Sequence, residues 1–265
     1  MQEDAVASEP RAARRAGAGG RRPAVDVLLV SMPCAPLLYP SLGLGLLAAA
    51  LQQRGLSVRT QYFTIAYADT VGPAFYRWLC APEHFPAEQL LGDWIFADEV
   101  FGSPVAPADR FIEEVLNAPA ATRPDRRRLR LAERRRLLLA KATAGRFLDR
   151  CARDVLAAAP RLVGFTSTFQ QHTASLALAR RLKAAAPGLP IVFGGANCEA
   201  EMGGATLECF PFVDVVVGGE GEGVIGELAA RLLAGAAAGD LPGILTRDGD
   251  GRARPVPPAP LRDLD

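Results

Sequence analysis

The chain has 265 residues, is 49% hydrophobic and carries a formal net charge of +1. It can therefore bury a sizeable core as one large domain or two small ones, and its bulk charge points to no partner. No run of about 18 uncharged apolar residues is present, so no membrane span is expected.

The first 24 residues are rich in Ala, Gly and Arg and lack an apolar h-region, which excludes a secretory signal. They are predicted to be a disordered tail (1–24), and a cytoplasmic location follows by default. Cys34, Cys80, Cys151, Cys198 and Cys209 are odd in number, widely spaced and free of any C-x-x-C pair. That argues against a disulfide framework and a structural zinc site, and for thiols in a reducing compartment.

Val25 to Val30 is apolar and β-branched, and is predicted as the first strand. Three prolines in Ser31 to Pro40 make the next stretch a shaped loop. Ser41 is placed to cap a helix over Leu42 to Arg54, and Gly55 to end it. Leu56 to Phe63 is the predicted second strand. Gly43-x-Gly45-x-x-Ala48 matches the dinucleotide fingerprint as letters only. Twelve residues separate Val30 from Gly43, whereas the fingerprint needs its glycines in the turn directly after the strand. Close packing of helix on sheet is the expected reason for these glycines.

From Thr64 to about Pro119 the strand–helix rhythm breaks, and most aromatics fall there. Glu83 to Glu114 carries eight acidic residues and one basic, and Arg123 to Arg136 carries eight arginines against Asp125 and Glu133. Such blocks form solvated faces or pair with each other. No aromatics interleave with the arginines, so nucleic acid is not expected as a partner. Leu137, Ala140, Ala144, Phe147, Cys151 and Val155 recur at helical spacing, which predicts an amphipathic helix ending near Pro160. The insertion, about 64–150, is expected to be a cap or a docking surface.

The rhythm then returns. Strands are predicted over Leu162 to Thr166, Ile191 to Phe193 and Val213 to Val217, with an edge strand over Ile244 to Thr246. Helices are predicted over His172 to Ala186, Glu199 to Glu208 and Val224 to Leu233. Residues 251–265 are expected to be a linker at a domain boundary. Strands alternating with helices imply a parallel, doubly wound α/β sheet over 25–250. Its ligands would lie outside the carboxyl ends of the strands.

Four strand-end loops are expected to share that edge: Ser31 to Pro40, Ser167 to Gln170, Gly194-Gly195-Ala196-Asn197 and Gly218 to Glu222. Gly194, Gly195 and Ala196 remove side chains where something bulky must approach the backbone. Ser167, Thr168 and Gln170 offer donors and acceptors. Glu220 and Glu222 beside glycines make a poor phosphate cradle, but suit a ligand rich in amide N–H groups. His172 is placed near the crevice, although a satisfied structural histidine is the expected reading. No G-x-S-x-G elbow is present for a Ser-His-Asp hydrolase.

Val192-Phe193-Gly194-Gly195-Ala196-Asn197, Val213 to Glu222 and Pro40-Ser41-Leu42-Gly43-Leu44 together resemble the cobalamin-binding domain of cobalamin-dependent radical SAM enzymes. With Gly164 to Gln171 added, the pattern looks like radical SAM proteins that mature ribosomally made peptides, some of them C-methyltransferases. The resemblance implies a Rossmann-like, doubly wound sheet of the cobalamin-binding type, with a helical insertion between strands two and three. It implies cobalamin across the strand ends, its nucleotide tail beside Gly194, Gly195 and Ala196, and Ser167, Thr168 and Gln170 near the corrin. Glu220 and Glu222, flanked by Gly219 and Gly221, would accept hydrogen bonds from the corrin amides or ribose. The lower face of cobalt would look towards the Met32 to Tyr39 loop, in which Met32 and Pro33 would touch the cofactor, or towards Ser167 to Gln170.

The sequence departs from the family by lacking C-x-x-x-C-x-x-C, and it also lacks the D-x-H-x-x-G of other cobalamin proteins, as is common in the radical SAM group. A [4Fe–4S] cluster and S-adenosylmethionine would accordingly belong to a radical SAM domain in the same or another chain. The other implied partner is a precursor peptide, and this chain alone is expected to be inactive. Two further readings stay open: a vestigial docking domain without cobalamin, and a nucleotide-binding or glycosyl-transferring enzyme.

Overall fold

A computed structural model describes residues 25–102, 107–118, 127–255 and 257. The tail at 1–24 lies outside the described residues, as does most of the linker. Five parallel strands form the body of one sheet: β1 (Val27–Ser31), β2 (Val58–Tyr62), β3 (Leu162–Thr166), β4 (Ile191–Gly194) and β5 (Val215–Val217). Two antiparallel strands, β6 (Ile244–Arg247) and β7 (Ala253–Pro255), complete it in the order β2-β1-β3-β4-β5-β6-β7. The chain leaves β1 to one side for β2 and returns on the other side as β3. That places a topological switch point between the carboxyl ends of β1 and β3.

The period of two along each strand divides the core into two layers. Val27, Leu29, Leu162, Val192 and Val217 face α1 (Leu42–Gln53) and α9 (Ile225–Leu233). Leu28, Val30, Val163, Phe165 and Phe193 face the opposite layer, which holds the insertion and α7 (His172–Ala185). Both faces are covered, which is why β1, β3, β4 and β5 read as largely apolar runs. The fold is Rossmann-like α/β, doubly wound.

The insertion between β2 and β3 is helical. It comprises α2 (Phe63–Val71), α3 (Pro73–Leu79), α4 (Leu91–Phe101), α5 (Ala108–Phe111) continuing as a π-helical turn (Ile112–Leu116), and α6 (Leu131–Ala157). Most of its aromatics are internal, while Phe101 is exposed. Tyr67, Tyr76, Phe85 and Phe96 are buried, and the Tyr67 ring lies 4.8 Å from Phe147 and 5.4 Å from Phe96. The charge blocks pair with each other as expected. Arg134 meets Asp109 at 2.7 Å and Glu113 at 2.8 Å, and Arg128 also reaches Glu113. At the start of α6 the Glu133 carboxylate accepts the Arg130 N–H at 2.8 Å, and the Arg127 guanidinium beside it holds its pKa down at about 2.

Three expectations are corrected. Ile244–Arg247 is not an edge strand, because β7 flanks it, and Ala253–Pro255 is paired sheet rather than linker. The hairpin closes where the Asp248 carboxylate accepts the N–H groups of Asp250 (3.0 Å) and Arg252 (2.9 Å), with Gly251 at a φ of +79°. The glycines of α1 do not pack on the sheet. A Cβ on Gly45 would meet nothing within 4 Å, and one on Gly43 would meet only Ser41 Oγ at 3.9 Å; Leu44 and Leu51 make that contact instead.

Candidate functional site

The loops after β1, β3, β4 and β5 converge at the carboxyl edge of the sheet. On the side covered by α1 and α9 they enclose a cleft of about 290 Å³. Leu29, Gly164, Val192 and Val217 form its floor, and Ser41, Gly43, Leu44 and Leu47 its α1 wall. Thr168, Gly194, Gly195, Gly219, Glu220, Gly221 and Glu222 form its rim. The α1 wall is set by Ser41, whose Oγ accepts the Leu44 N–H at 3.2 Å and so caps the helix. The β1 loop exposes Leu38 and Tyr39, and Leu42 opens α1, each at least 75% exposed.

The glycines differ in why they are glycines. Gly195 has a φ of +97°, and a Cβ there would stand 2.7 Å from the Ser167 carbonyl oxygen. Neighbouring backbone demands it, whatever the cleft contains. A Cβ on Gly194 would meet only Val217, at 3.6 Å. Nothing in the protein requires a glycine there, and its missing side chain is what leaves the cleft open. Ala196 is exposed and opens a short 3-10 turn, Ala196–Cys198.

Several expected contributors are turned away from the cleft. Ser167 is fully buried, with its Oγ 2.9 Å from His172 Nδ1 and accepting from Asn197 Nδ2 at 3.1 Å. Gln170 Oε1 accepts the Gly92 N–H at 2.7 Å, which caps α4. In return Asp93 of α4 accepts the Thr173 N–H at 2.8 Å in the first turn of α7. The two helices thus cap each other, satisfying donors that helix starts leave orphaned. Met32 and Pro33 are buried, and the Met32 carbonyl accepts from Gln171 Nε2. Of the expected polar donors on the β3 loop, Thr168 alone reaches the cleft.

The electrostatics follow from these positions. His172 lies between Ser167 Oγ and Thr206 Oγ1, the latter 3.2 Å from Nε2, and burial pushes its pKa below the ordinary value. It is a satisfied structural histidine that ties β3 to α8 (Ala200–Cys209). Burial raises the Asp93 carboxyl, against the opposing hydrogen bonds from Thr173. On the cleft side the ionisable lining is Glu220 and Glu222, both exposed and without a salt bridge among the described residues. The cleft therefore offers an apolar slot, backbone, a threonine hydroxyl and two carboxylate acceptors. Among the described residues no group of three His, Cys, Asp or Glu side chains is placed to hold a metal. No described helix is long and apolar enough to cross a membrane.

Sequence reasoning missed two residues that hold the site together. Gln171 is buried, and its Oε1 accepts from Thr168 Oγ1 at 2.7 Å while Nε2 donates to Met32 O. Asn197 donates to both Ser167 Oγ and Phe169 O, the latter at 2.7 Å. A polar residue next to a strand-end turn is the one signal either gives in the sequence. Gly164, part of the Gly164 to Gln171 motif, is not among the expected site residues. Its missing side chain faces the cleft, where a Cβ would stand 3.0 Å from Leu29.

No protein-family model and no curated protein matches this chain. Among solved structures, it is similar to a radical S-adenosylmethionine methyltransferase, TsrM, from Kitasatospora setae, with tryptophan substrate and a SAM analog (aza-SAM) bound. The identity is 18% over 88% of this chain and 30% of that one, with a TM-score of 0.46. With TsrM holding cobalamin and a [4Fe-4S] cluster the figures are 17%, 91%, 30% and 0.48. This chain thus spans about 30% of the length of those structures.

Proposed function

We propose that this chain is the cobalamin-binding module of a radical S-adenosylmethionine enzyme that C-methylates a ribosomally made peptide. The observation that carries the cofactor reading is the glycine-walled cleft at the switch point. Gly164 and Gly194 leave space on its floor and rim that their own missing side chains would fill. A volume of about 290 Å³ is at the small end for a ligand pocket. It would suit the nucleotide tail of the cofactor and leave the corrin on the rim of Thr168, Gly219 and Glu220.

Thr168 would hydrogen-bond the tail, and Glu220 and Glu222 would accept from corrin amide or ribose donors. The hydrophobic floor of Leu29, Val192 and Val217 would keep water from the buried end. Ser167 and Gln170, assigned to the corrin by the motif, would act one step back by fixing the loop that carries Thr168. Bound cobalamin would supply methyl-transfer chemistry at cobalt, while this chain positions it and sets its exposure. The [4Fe–4S] cluster and S-adenosylmethionine would be held by a radical SAM domain outside this sequence, which has no C-x-x-x-C-x-x-C motif. The peptide substrate and the methylation follow from the motif resemblance of Gly164 to Gln171 and Phe193 to Glu199.

Incubation with hydroxocobalamin followed by desalting tests the reading. Equimolar corrin absorbance should remain with the protein. A chain that is folded by circular dichroism and retains none would overturn it.

A further inference from the structure

The β1 loop and α3 meet at two cysteines that the cofactor cleft does not use. Tyr76 clamps this contact, because its hydroxyl donates to the Ala35 carbonyl at 2.7 Å and accepts the Ala35 N–H at 3.0 Å. Cys80 caps α3 four residues after Tyr76, on the same face of the helix. Cys34 precedes Ala35. The clamp therefore brings both cysteines to the wall of one pocket, where the Cys80 thiol and burial push the Cys34 thiol up.

Two further observations mark the place. Gly92 has no side chain where a Cβ would stand 2.7 Å from Cys34 Sγ. Tyr67, fully buried beside Tyr76 at 6.2 Å between rings, has a hydroxyl with no hydrogen-bond partner among the described residues. Both cysteines are half-buried and line a surface pocket of about 220 Å³ with Leu38, Tyr39 and Arg77, so a small reagent can reach them.

We propose that Cys34 and Cys80 are a redox-reactive dithiol that closes to a disulfide by exchange with a low-molecular-weight disulfide such as oxidised glutathione. The Cys80 thiolate attacks one glutathione sulfur, breaking that S–S bond and releasing one glutathione. Cys34 gives its proton to solvent and attacks Cys80 Sγ, forming the Cys34–Cys80 bond and releasing the second glutathione. The protein loses two electrons and two protons, and the glutathione disulfide gains them. The new bond ties the β1 loop to α3 just ahead of Ser41 and the α1 wall of the cleft. The remaining cysteines are placed differently. Cys151 and Cys198 are buried, and Cys209 is exposed on the wall of a different pocket.

The test incubates the full chain with oxidised glutathione at mildly alkaline pH, quenches with acid, alkylates after denaturation and maps peptides by mass spectrometry. The expected product is a peptide pair joined through Cys34 and Cys80, with two of the five thiols consumed. The link should be absent in Cys80→Ser, which keeps the Tyr76 clamp, and dithiothreitol should restore both thiols. Glutathione found only on Cys209, or all five thiols free while the chain is folded, would overturn the proposal.

Discussion

Gly194 and Gly195 are adjacent, yet the structure predicts opposite outcomes when each becomes alanine. At Gly195 the new Cβ would stand 2.7 Å from Ser167 O and 3.1 Å from Ser167 N, on a residue with φ of +97° and ψ of 177°. The Ser167 backbone cannot move aside, because its N–H donates to Gly194 O at 2.8 Å and its carbonyl accepts the Asn197 N–H at 3.1 Å. A non-glycine residue held in that region costs about 1–3 kcal/mol, and the overlap adds roughly 1–3 kcal/mol. Gly195→Ala should therefore lose about 3 kcal/mol, a fall in Tm of roughly 6–12 °C at 2–4 °C per kcal/mol. At Gly194 the added methyl meets Val217 at 3.6 Å, an ordinary contact, so Gly194→Ala should stay within about 0.5 kcal/mol of the parent. Urea and thermal unfolding followed by far-ultraviolet circular dichroism measure both. Equal stabilities for the two variants, or a larger loss at Gly194, would refute the reasoning. The same contrast makes Gly195 a poor probe of cofactor binding, since a bulky residue there breaks the loop first.

The His172 pKa is depressed, so the unfolded chain takes up a proton first as pH falls through the ordinary value of 6.5. Its contribution is present in full above that pH and is lost below it, with a slope of up to about 1.4 kcal/mol per pH unit. In His172→Gln this limb of the stability–pH curve should flatten, and an unchanged curve would contradict the burial argument. Gln171→Leu should cost about 1–3 kcal/mol, because it leaves the buried Met32 carbonyl without its donor. An unchanged urea midpoint would show that the carbonyl finds another partner.

The sheet and the edge that carries the cleft were legible because β-branched runs and glycine-rich turns alternate with helical spacing. Which side of the edge each polar residue serves was not. Ser167 and Gln170 bear side chains that suit a ligand and a helix cap or loop anchor equally well, and their alternate use depends on α4 arriving from the insertion. That long-range contact has no signature in the β3 loop. Gly194 and Gly195 look alike as letters, and only the approach of the Ser167 backbone separates them. The β6–β7 hairpin did leave a signal, Asp248-Gly249-Asp250-Gly251 between two short strands. The prolines from 255 onward masked it. The aromatic content of the insertion announced burial, but not that its rings pack onto the sheet as core.

The central claim is that the glycine-walled cleft holds the cofactor, and equilibrium titration of hydroxocobalamin into the parent chain and Gly194→Leu tests it most directly. The leucine side chain would enter the cleft from the rim, beside Val217. The account predicts saturable equimolar binding to the parent, and affinity at least roughly tenfold weaker, about 1.4 kcal/mol, in a variant that unfolds at the same temperature. Equal affinity in the two proteins would contradict it, as would no binding to the folded parent.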